Sequence, residues 1–484
     1  MILGIDIGTS SVRAALYDRK GSVIPKTLVK NERQLKLTVD GGSEIDAEKA
    51  LSQLVGTVDD LLQSSESIPG KITHVAAASF WHSLVGVDRD GKPTTKVLSW
   101  ADNRSRDFVS VLRKKLDESE VHNRTGARFH SSFWPAKLLW LRKAQPEAFT
   151  QTAQWLSLSD FLSLKLFGDS STSISMASAT GIFDIRKCEW DKPLLRSLKL
   201  QRSHLPQIAE PGQTFQLKPK FLKRWPRLAD ASWIPAIGDG AANNIGSRCV
   251  TKDRAALMVG TSGALRVAYR GEPPTKIPDG LWCYRIDRGR LIVGGALSDG
   301  GGLYSWLKEN LKLPANAEKM IAARPPVLHG VTFLPFLAGE RSTGYNENAQ
   351  GTVLGLTAAT SAVDIAQAAM ESVGYRFAEI LDKLNSVTKV DEIYASGGAL
   401  RSSKVWTQTI ADILGHGLTL VDVPEASLRG AVLLALESLG NIESIEEISL
   451  DRGKVFEPNA DHHAAHKLAR KRHSQIYDSI VKNR

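Results

Sequence analysis

The stretch Ile234–Gly246, reading IPAIGDGAANNIG, decides how the rest of the chain is interpreted. Its apolar lead-in, Ile234, Ala236 and Ile237, stops at Gly238-Asp239-Gly240, and small residues with two asparagines follow. This pattern predicts a strand ending in a tight turn, with a helix starting behind it. Glycine on both sides of the acid lets other groups approach the backbone closely. The carboxylate of Asp239 is then held at a strand tip, pointing into a cleft. The local residues fit equally well an aspartate that merely caps the helix. Position favours the cleft, because Asp239 lies near the middle of a 484-residue chain, where two domains of ordinary size meet.

Working outward, the N-terminal residues ILGIDIGTSSVRAALYD read as a buried strand, a polar turn and a returning strand. The turn Gly8-Thr9-Ser10-Ser11 offers backbone N–H groups and hydroxyls to an anion such as phosphate. Asp6 beside it suits Mg²⁺ held through water, since hard cations prefer oxygen ligands. Arg13 adds a fixed positive charge. The alternative is an ordinary hairpin whose polar residues satisfy one another. A second hairpin, Gly260-Thr261-Ser262-Gly263, follows the apolar strand AALMV and leads into LRVAY. The two GTS turns are offset by 252 residues, each with a tyrosine seven residues after its serine, Tyr17 and Tyr269. That period, about half the chain, points to two related domains, each with a phosphate-binding hairpin.

Between these marks strands and helices alternate. Glu44–Leu62 carries a helical apolar stripe with Ser43 or Asp46 as its cap. Ile72–Ala78 is a strand ending in Phe80-Trp81-His82, and an aromatic ring with an imidazole at a strand end suits a sugar. A core Trp and a satisfied His are the plainer reading. In LSWADNRSR, Asp102 suits hydroxyls and Arg104 a substrate anion, or the two form a solvated ion pair at a helix start. Asp169–Thr180 reads as loop and strand, and residues 192–232, with five prolines, as irregular structure. In the second half, LIVGGALSDGGG brings a strand into a glycine turn, Gly301-Gly302, suited to a phosphate or ribose. Ser361–Asp382 reads as a long amphipathic helix. Val390–Ala395 then ends in Ser396-Gly397-Gly398-Ala399, a strand and glycine turn that suit a nucleotide clamp.

Composition bounds the class. Apolar residues make up 42% and charged residues 24%, as in ordinary globular proteins, and the net charge of +10 is spread along the chain. The basic segment His466–Arg472 reads as a solvated terminal helix and not as a nucleic-acid patch. Cys188, Cys249 and Cys283 have no metal-ligand spacing, which suits a reducing cytoplasm. Neither a signal peptide nor a membrane-spanning run is expected.

Two phosphate hairpins, a glycine turn for a nucleoside and a midpoint acid fit ATP-dependent phosphorylation of a hydroxyl, with Asp239 accepting the proton. Neither the P-loop motif with its lysine nor the protein-kinase catalytic-loop motif occurs. Over nearly its whole length the chain resembles the FGGY family of carbohydrate kinases. The residues that carry the likeness are Asp6–Arg13, Gly238–Ala242, Gly260–Gly263, Ser396–Ala399 and the late Gly351–Leu356, Asp364-Ile365 and Met370-Glu371. The resemblance implies an α/β, actin-like, ribonuclease-H-like ATPase fold with a cleft between domains 1–243 (sugar site and first hairpin) and 244–484 (nucleotide). It implies Asp239 as catalytic base, and ATP at Gly8, Thr9, Ser10, Arg13, Gly260, Thr261, Gly301, Gly302, Gly397, Gly398 and Ser402. Mg²⁺ is expected at Asp6 and Asp239, and the sugar at Trp81, His82, Asp102, Arg104 and Asp239. Within the family, Trp100–Ser105, Ser175–Gly181 and Gly339-Glu340-Arg341 are similar to gluconate kinases, with xylulose kinases somewhat further away. This implies D-gluconate as substrate, with xylulose or another pentose or polyol as the alternative. A non-catalytic sugar sensor is the reading outside enzymes. The expected partners are small sugars or sugar acids and a second copy of the chain, with no nucleic acid or membrane. Phe80-Trp81 and Ser342–Asn346 depart from the family pattern.

Overall fold

The computed structural model describes residues 1–421, 423–448 and 453–482. The first hairpin forms where the apolar runs place it. Strand Ile2–Ile7 pairs antiparallel with Ser11–Tyr17, setting Asp6 opposite Arg13. On its other edge Ile2–Ile7 pairs in parallel with His74–Ser79, which in turn takes Ser232–Trp233 and Ile237–Gly238. With Val29–Glu32 beyond Ser11–Tyr17, this makes a six-stranded mixed sheet. Strands Ile2–Ile7 and Ile237–Gly238 thus end side by side on either flank of His74–Ser79, delivering Asp6 and Asp239 to one edge.

The second half repeats the arrangement. Arg254–Val259 pairs antiparallel with Gly263–Arg270 and in parallel with Glu392–Ser396. The sheet has seven strands, running Trp282–Arg285, Arg290–Leu297, Gly263–Arg270, Arg254–Val259, Glu392–Ser396, Leu418–Leu420 and Lys454–Phe456. In each half a hairpin strand lies between its antiparallel partner and a parallel third strand, so the short repeat of GTS turns corresponds to a repeat of topology.

Local chemistry sets the helix ends. Asp46 caps Ala47–Ser64 by accepting from the Lys49 N–H, which settles the choice between Ser43 and Asp46. Ser361 and Asp364 form a capping box at the start of Ala362–Leu384. Two expectations are corrected. The segment read as loop and strand contains the short helix Ile174–Ser178, capped by Ser173. The basic C-terminal helix, Ala460–Tyr477, buries His466, His473 and Tyr477 along one face, so it is not a wholly solvated tail. The helix Asp239–Gly246 spans the expected division between residues 243 and 244. Moreover, helix Ala426–Ser438, from the second half, covers the first sheet: Val432 and Leu428 lie against Gly4. It crosses Asp239–Gly246 so tightly that a Cβ on Gly430 would fall 1.8 Å from the Ala242 carbonyl oxygen. No helix among the described residues is long and apolar enough to cross a membrane.

Candidate active site

Asp239 is the first residue of helix Asp239–Gly246, with Gly238 as the N-cap residue. Its carboxylate accepts from the Gly240 N–H in the first turn of that helix at 2.8 Å, and the Trp81 backbone N–H also favours its ionised form. Burial raises its pKa above the ordinary carboxylate value, while the Arg266 guanidinium and the two N–H groups oppose that rise. Arg266, itself buried, is steadied by Asn243 Oδ1 at 3.0 Å. Sequence reading missed Arg266, which lies inside a strand that looks merely apolar.

The flanking glycines are occupied by Trp81. A Cβ on Gly238 would lie 1.7 Å from Trp81 Nε1, and one on Gly240 would lie 2.3 Å from Trp81 Cζ3. The indole rests under the acidic turn, donates from Nε1 to the Ser175 carbonyl at 3.1 Å, and meets Trp282 and Tyr284 edge-on. Its ring is therefore packed beneath the base and is not laid open as a sugar platform. Ser175 also accepts from the Gly238 N–H at 3.0 Å, so the short helix Ile174–Ser178 clasps the strand end.

His82 follows with a left-handed backbone, φ 68°. Its Nδ1 lies 2.6 Å from the Ala179 carbonyl, and burial pushes its pKa well below the usual value, so the ring is neutral. The His82 carbonyl accepts from Lys137 Nζ at 2.9 Å, and the same ammonium donates to Ser99 at 2.6 Å. Lys137 is fully buried, and burial brings its pKa down to about 7. Nothing in WPAKLLWLRKA marks this lysine as an internal tie between the sugar loop and the WADNRS loop.

Across the edge, burial and the facing Asp239 raise the Asp6 carboxyl to about 7. Arg13 lies 3.7 Å from Asp6 but 2.7 Å from Glu425, so its charge is engaged by two carboxylates and not left for a phosphate. Of the two readings of Asp102 and Arg104, the ion pair forms. Asp102 Oδ2 accepts from Arg104 Nη2 at 2.6 Å and from the Ser43 N–H at 2.9 Å, and Arg104 also pairs with Glu44 at 2.8 Å. Asp102 is buried and Arg104 partly so, and the pair is less solvated than its sequence suggests.

At the first hairpin, Thr9 Oγ1 accepts from Trp100 Nε1 at 3.3 Å, Ser10 is exposed, and the Gly8 N–H bonds Ser11 across the turn. At the second, three glycine turns converge. The Gly301 N–H donates to the Gly260 carbonyl at 2.7 Å and the Gly302 N–H to the Thr261 carbonyl at 3.0 Å. Those two N–H groups are thus spent on the hairpin, and their lack of side chains permits its close approach. Gly397, at φ 104°, sits on Val259, whereas a Cβ on Gly398 would meet open space. Ser402 Oγ donates back to the Ala399 carbonyl at 3.0 Å.

Asp6 and Asp239 fit Mg²⁺ in kind. Both offer oxygen, and the Asp6 pKa, raised first by burial and then by the facing Asp239, marks a buried site whose negative charge a divalent cation would relieve. No group of three His, Cys, Asp or Glu side chains at metal-binding distance exists among the described residues. An ion held by these two carboxylates would need waters or phosphates to complete its coordination.

The model for the N-terminal domain of the FGGY family of carbohydrate kinases matches residues 1–246, and that for the C-terminal domain matches residues 255–439. A gluconokinase of Bacillus subtilis is 27% identical, over 94% of this chain and 91% of its own. A xylulose kinase of Escherichia coli is also 27% identical, over 99% of each. The solved gluconate kinase of Lactobacillus acidophilus superposes with a TM-score of 0.91 at 28% identity, over 99% of this chain and 98% of its own. These matches span both sheets and every turn described above, with the actin-like, ribonuclease-H-like ATPase architecture in common. The chain belongs to the FGGY family of carbohydrate kinases, enzymes that phosphorylate sugars at the expense of ATP.

Proposed function

We propose that this kinase phosphorylates D-gluconate to 6-phosphogluconate, with Asp239 as the general base. The observation that carries the catalytic half is the placement of Asp239. Its carboxylate is half-buried, held by the Gly240 N–H, and faces Asp6 across the end of the strand His74–Ser79 that lies between theirs. A base so held needs no reorganisation to accept the proton of a substrate hydroxyl. Arg266 opposes the rise that burial imposes on its pKa, favouring the ionised form that a base needs. The hairpin Gly260–Gly263 and the open turn at Gly398 receive the nucleotide, and Thr9 and Ser10 close on the phosphates from the other sheet. Mg²⁺, when bound, supplies the neutralising charge for the transferring phosphoryl group.

The sugar-acid half draws support from the gluconokinase and gluconate kinase relatives and from the cations near His82, namely Lys137 and Arg341. The xylulose kinase at equal identity keeps a second reading in view, a pentulose acceptor in the same site. The deciding experiment compares kcat/KM for gluconate, xylulose and glycerol. Gluconate is expected to lead. A preference for xylulose of tenfold, about 1.4 kcal/mol in transition-state binding, overturns the gluconate reading and leaves the sugar kinase standing. An active Asp239→Asn enzyme places the base elsewhere.

A further inference from the structure

The acids and bases along the sugar wall are almost all engaged with one another. Asp102 and Glu44 hold Arg104. Glu340 is bound to Arg376 and accepts from the Tyr477 hydroxyl at 2.7 Å. Glu347 takes the Ser131 N–H and hydroxyl. Glu425 holds Arg13. Arg341 is the contrast. Its guanidinium has no hydrogen-bond or ion-pair partner among the described residues, and its one directed contact is the Trp100 ring, with Cζ 5.6 Å from the centroid.

The backbone around Arg341 is fixed. Glu340 and Ser342 on either side are buried, the Ser342 N–H donates to Ala296 at 3.0 Å, and the Arg341 carbonyl accepts from the Tyr345 N–H at 2.7 Å. A rigid loop therefore presents one unspent cation. Its charge bears on His82, Lys137 and Asp239 alike, which places it in the cleft with the sugar loop and the base. The two histidines nearest it, His82 and His130, are kept neutral by burial, so the wall gains no charge from them. A planar guanidinium with its donors free is the side chain best matched to a carboxylate.

We infer that Arg341 is the specificity-determining residue that receives the carboxylate of a sugar-acid substrate whose hydroxyl lies at Asp239. This rests on the sugar-acid reading above and replaces Arg104, whose donors are taken, as the anion contact. A neutral sugar leaves the guanidinium unpaired in the closed cleft, so the residue both attracts the acid and disfavours the neutral analogue.

Calorimetric titration of gluconate and of its neutral analogue glucitol into the full-length protein, wild type, Arg341→Gln and Arg341→Lys, tests it. The expected result is that Arg341→Gln weakens gluconate roughly tenfold to a hundredfold, the range for a lost charge-assisted contact. Glucitol and the ATP analogue used as a control should change less than about threefold, and Arg341→Lys should fall between. Unchanged gluconate binding in Arg341→Gln overturns the inference while leaving the sugar-acid reading intact. An equal loss for the ATP analogue also overturns it, assigning Arg341 to the phosphates. A wild-type protein that binds glucitol as well as gluconate sinks the sugar-acid reading itself, and the inference with it. The lysine variant keeps the test decisive should the glutamine variant fold poorly.

Discussion

Replacing Gly238 with alanine adds a single methyl group, and the structure says what that methyl meets. Gly238 has φ −67° and ψ 140°, a conformation alanine adopts freely, so the backbone itself raises no objection. The obstacle is Trp81, whose Nε1 and Cε2 would lie 1.7 and 1.8 Å from the new Cβ. Ordinary contact is about 3.5 Å or more, so the indole must retreat by roughly 2 Å. Retreat is blocked by Trp282 at 6.0 Å and Tyr284 at 5.3 Å between ring centroids, and it breaks the bond from Nε1 to Ser175. Overpacking costs about 1–3 kcal/mol, and stranding a buried donor costs about 1–3 kcal/mol more. The expected loss is therefore about 2–6 kcal/mol, visible in urea unfolding as a lower midpoint at constant slope. Trp81→Ala alone should cost about 3–5 kcal/mol for its cavity. In the double variant the methyl enters the vacated space, so Gly238→Ala should add almost nothing to Trp81→Ala. A single variant within about 0.5 kcal/mol of wild type, or strictly additive losses in the double variant, would refute the claim that the indole fills the gap. Activity should fall with stability, because the Trp81 N–H is one of the two groups that hold the Asp239 carboxylate.

Two other expectations concern the paired acids. Asp239→Asn keeps the fold and should lower turnover by roughly 10²–10⁴, the usual contribution of a positioned base; near-normal turnover in a phosphate-transfer assay argues against it. For Asp6 the sign follows from its rise to about 7 from the ordinary carboxyl value of 3.8. The folded state holds this proton more tightly than the unfolded chain, so the contribution is full below about pH 4 and is lost as pH rises through about 7. It is on the order of 4 kcal/mol in the metal-free protein. Unfolding midpoints measured from acid to neutral pH should fall more steeply for wild type than for Asp6→Asn, and parallel curves would count against a raised Asp6 pKa.

What the sequence disclosed, it disclosed through short-range patterns. Two apolar strands around a GTS turn predict a hairpin without help from the rest of the chain, and both hairpins form. The acid between two glycines announces a close approach, although not what approaches. The occupant, Trp81, lies on a different strand end, and its usefulness to a sugar looked more natural than its burial under a turn. The helix Ile174–Ser178 is too short for a helical period to show through six serines and threonines in nine residues, Ser170–Ser178. Asp102 and Arg104, two residues apart, were legible as a pair because both partners lie in one segment.

The remaining site residues are defined by partners that the sequence keeps far apart. Arg13 reads as a free cation until Glu425, 412 positions away, is brought to 2.7 Å. Lys137 reads as one more basic residue on an amphipathic helix, because its acceptors His82 and Ser99 lie 55 and 38 positions off. Glu340 and Arg341, adjacent in sequence, have opposite fates: one is consumed by Arg376 and Tyr477, the other has no ion-pair partner among the described residues. No local property of Gly-Glu-Arg distinguishes them. Long-range packing decides which charges are neutralised, and what it leaves over is the charge available to a substrate. The cation suited to a sugar acid is therefore found by accounting for every acid that reaches the cleft, and Arg341 is the cation for which that accounting finds none.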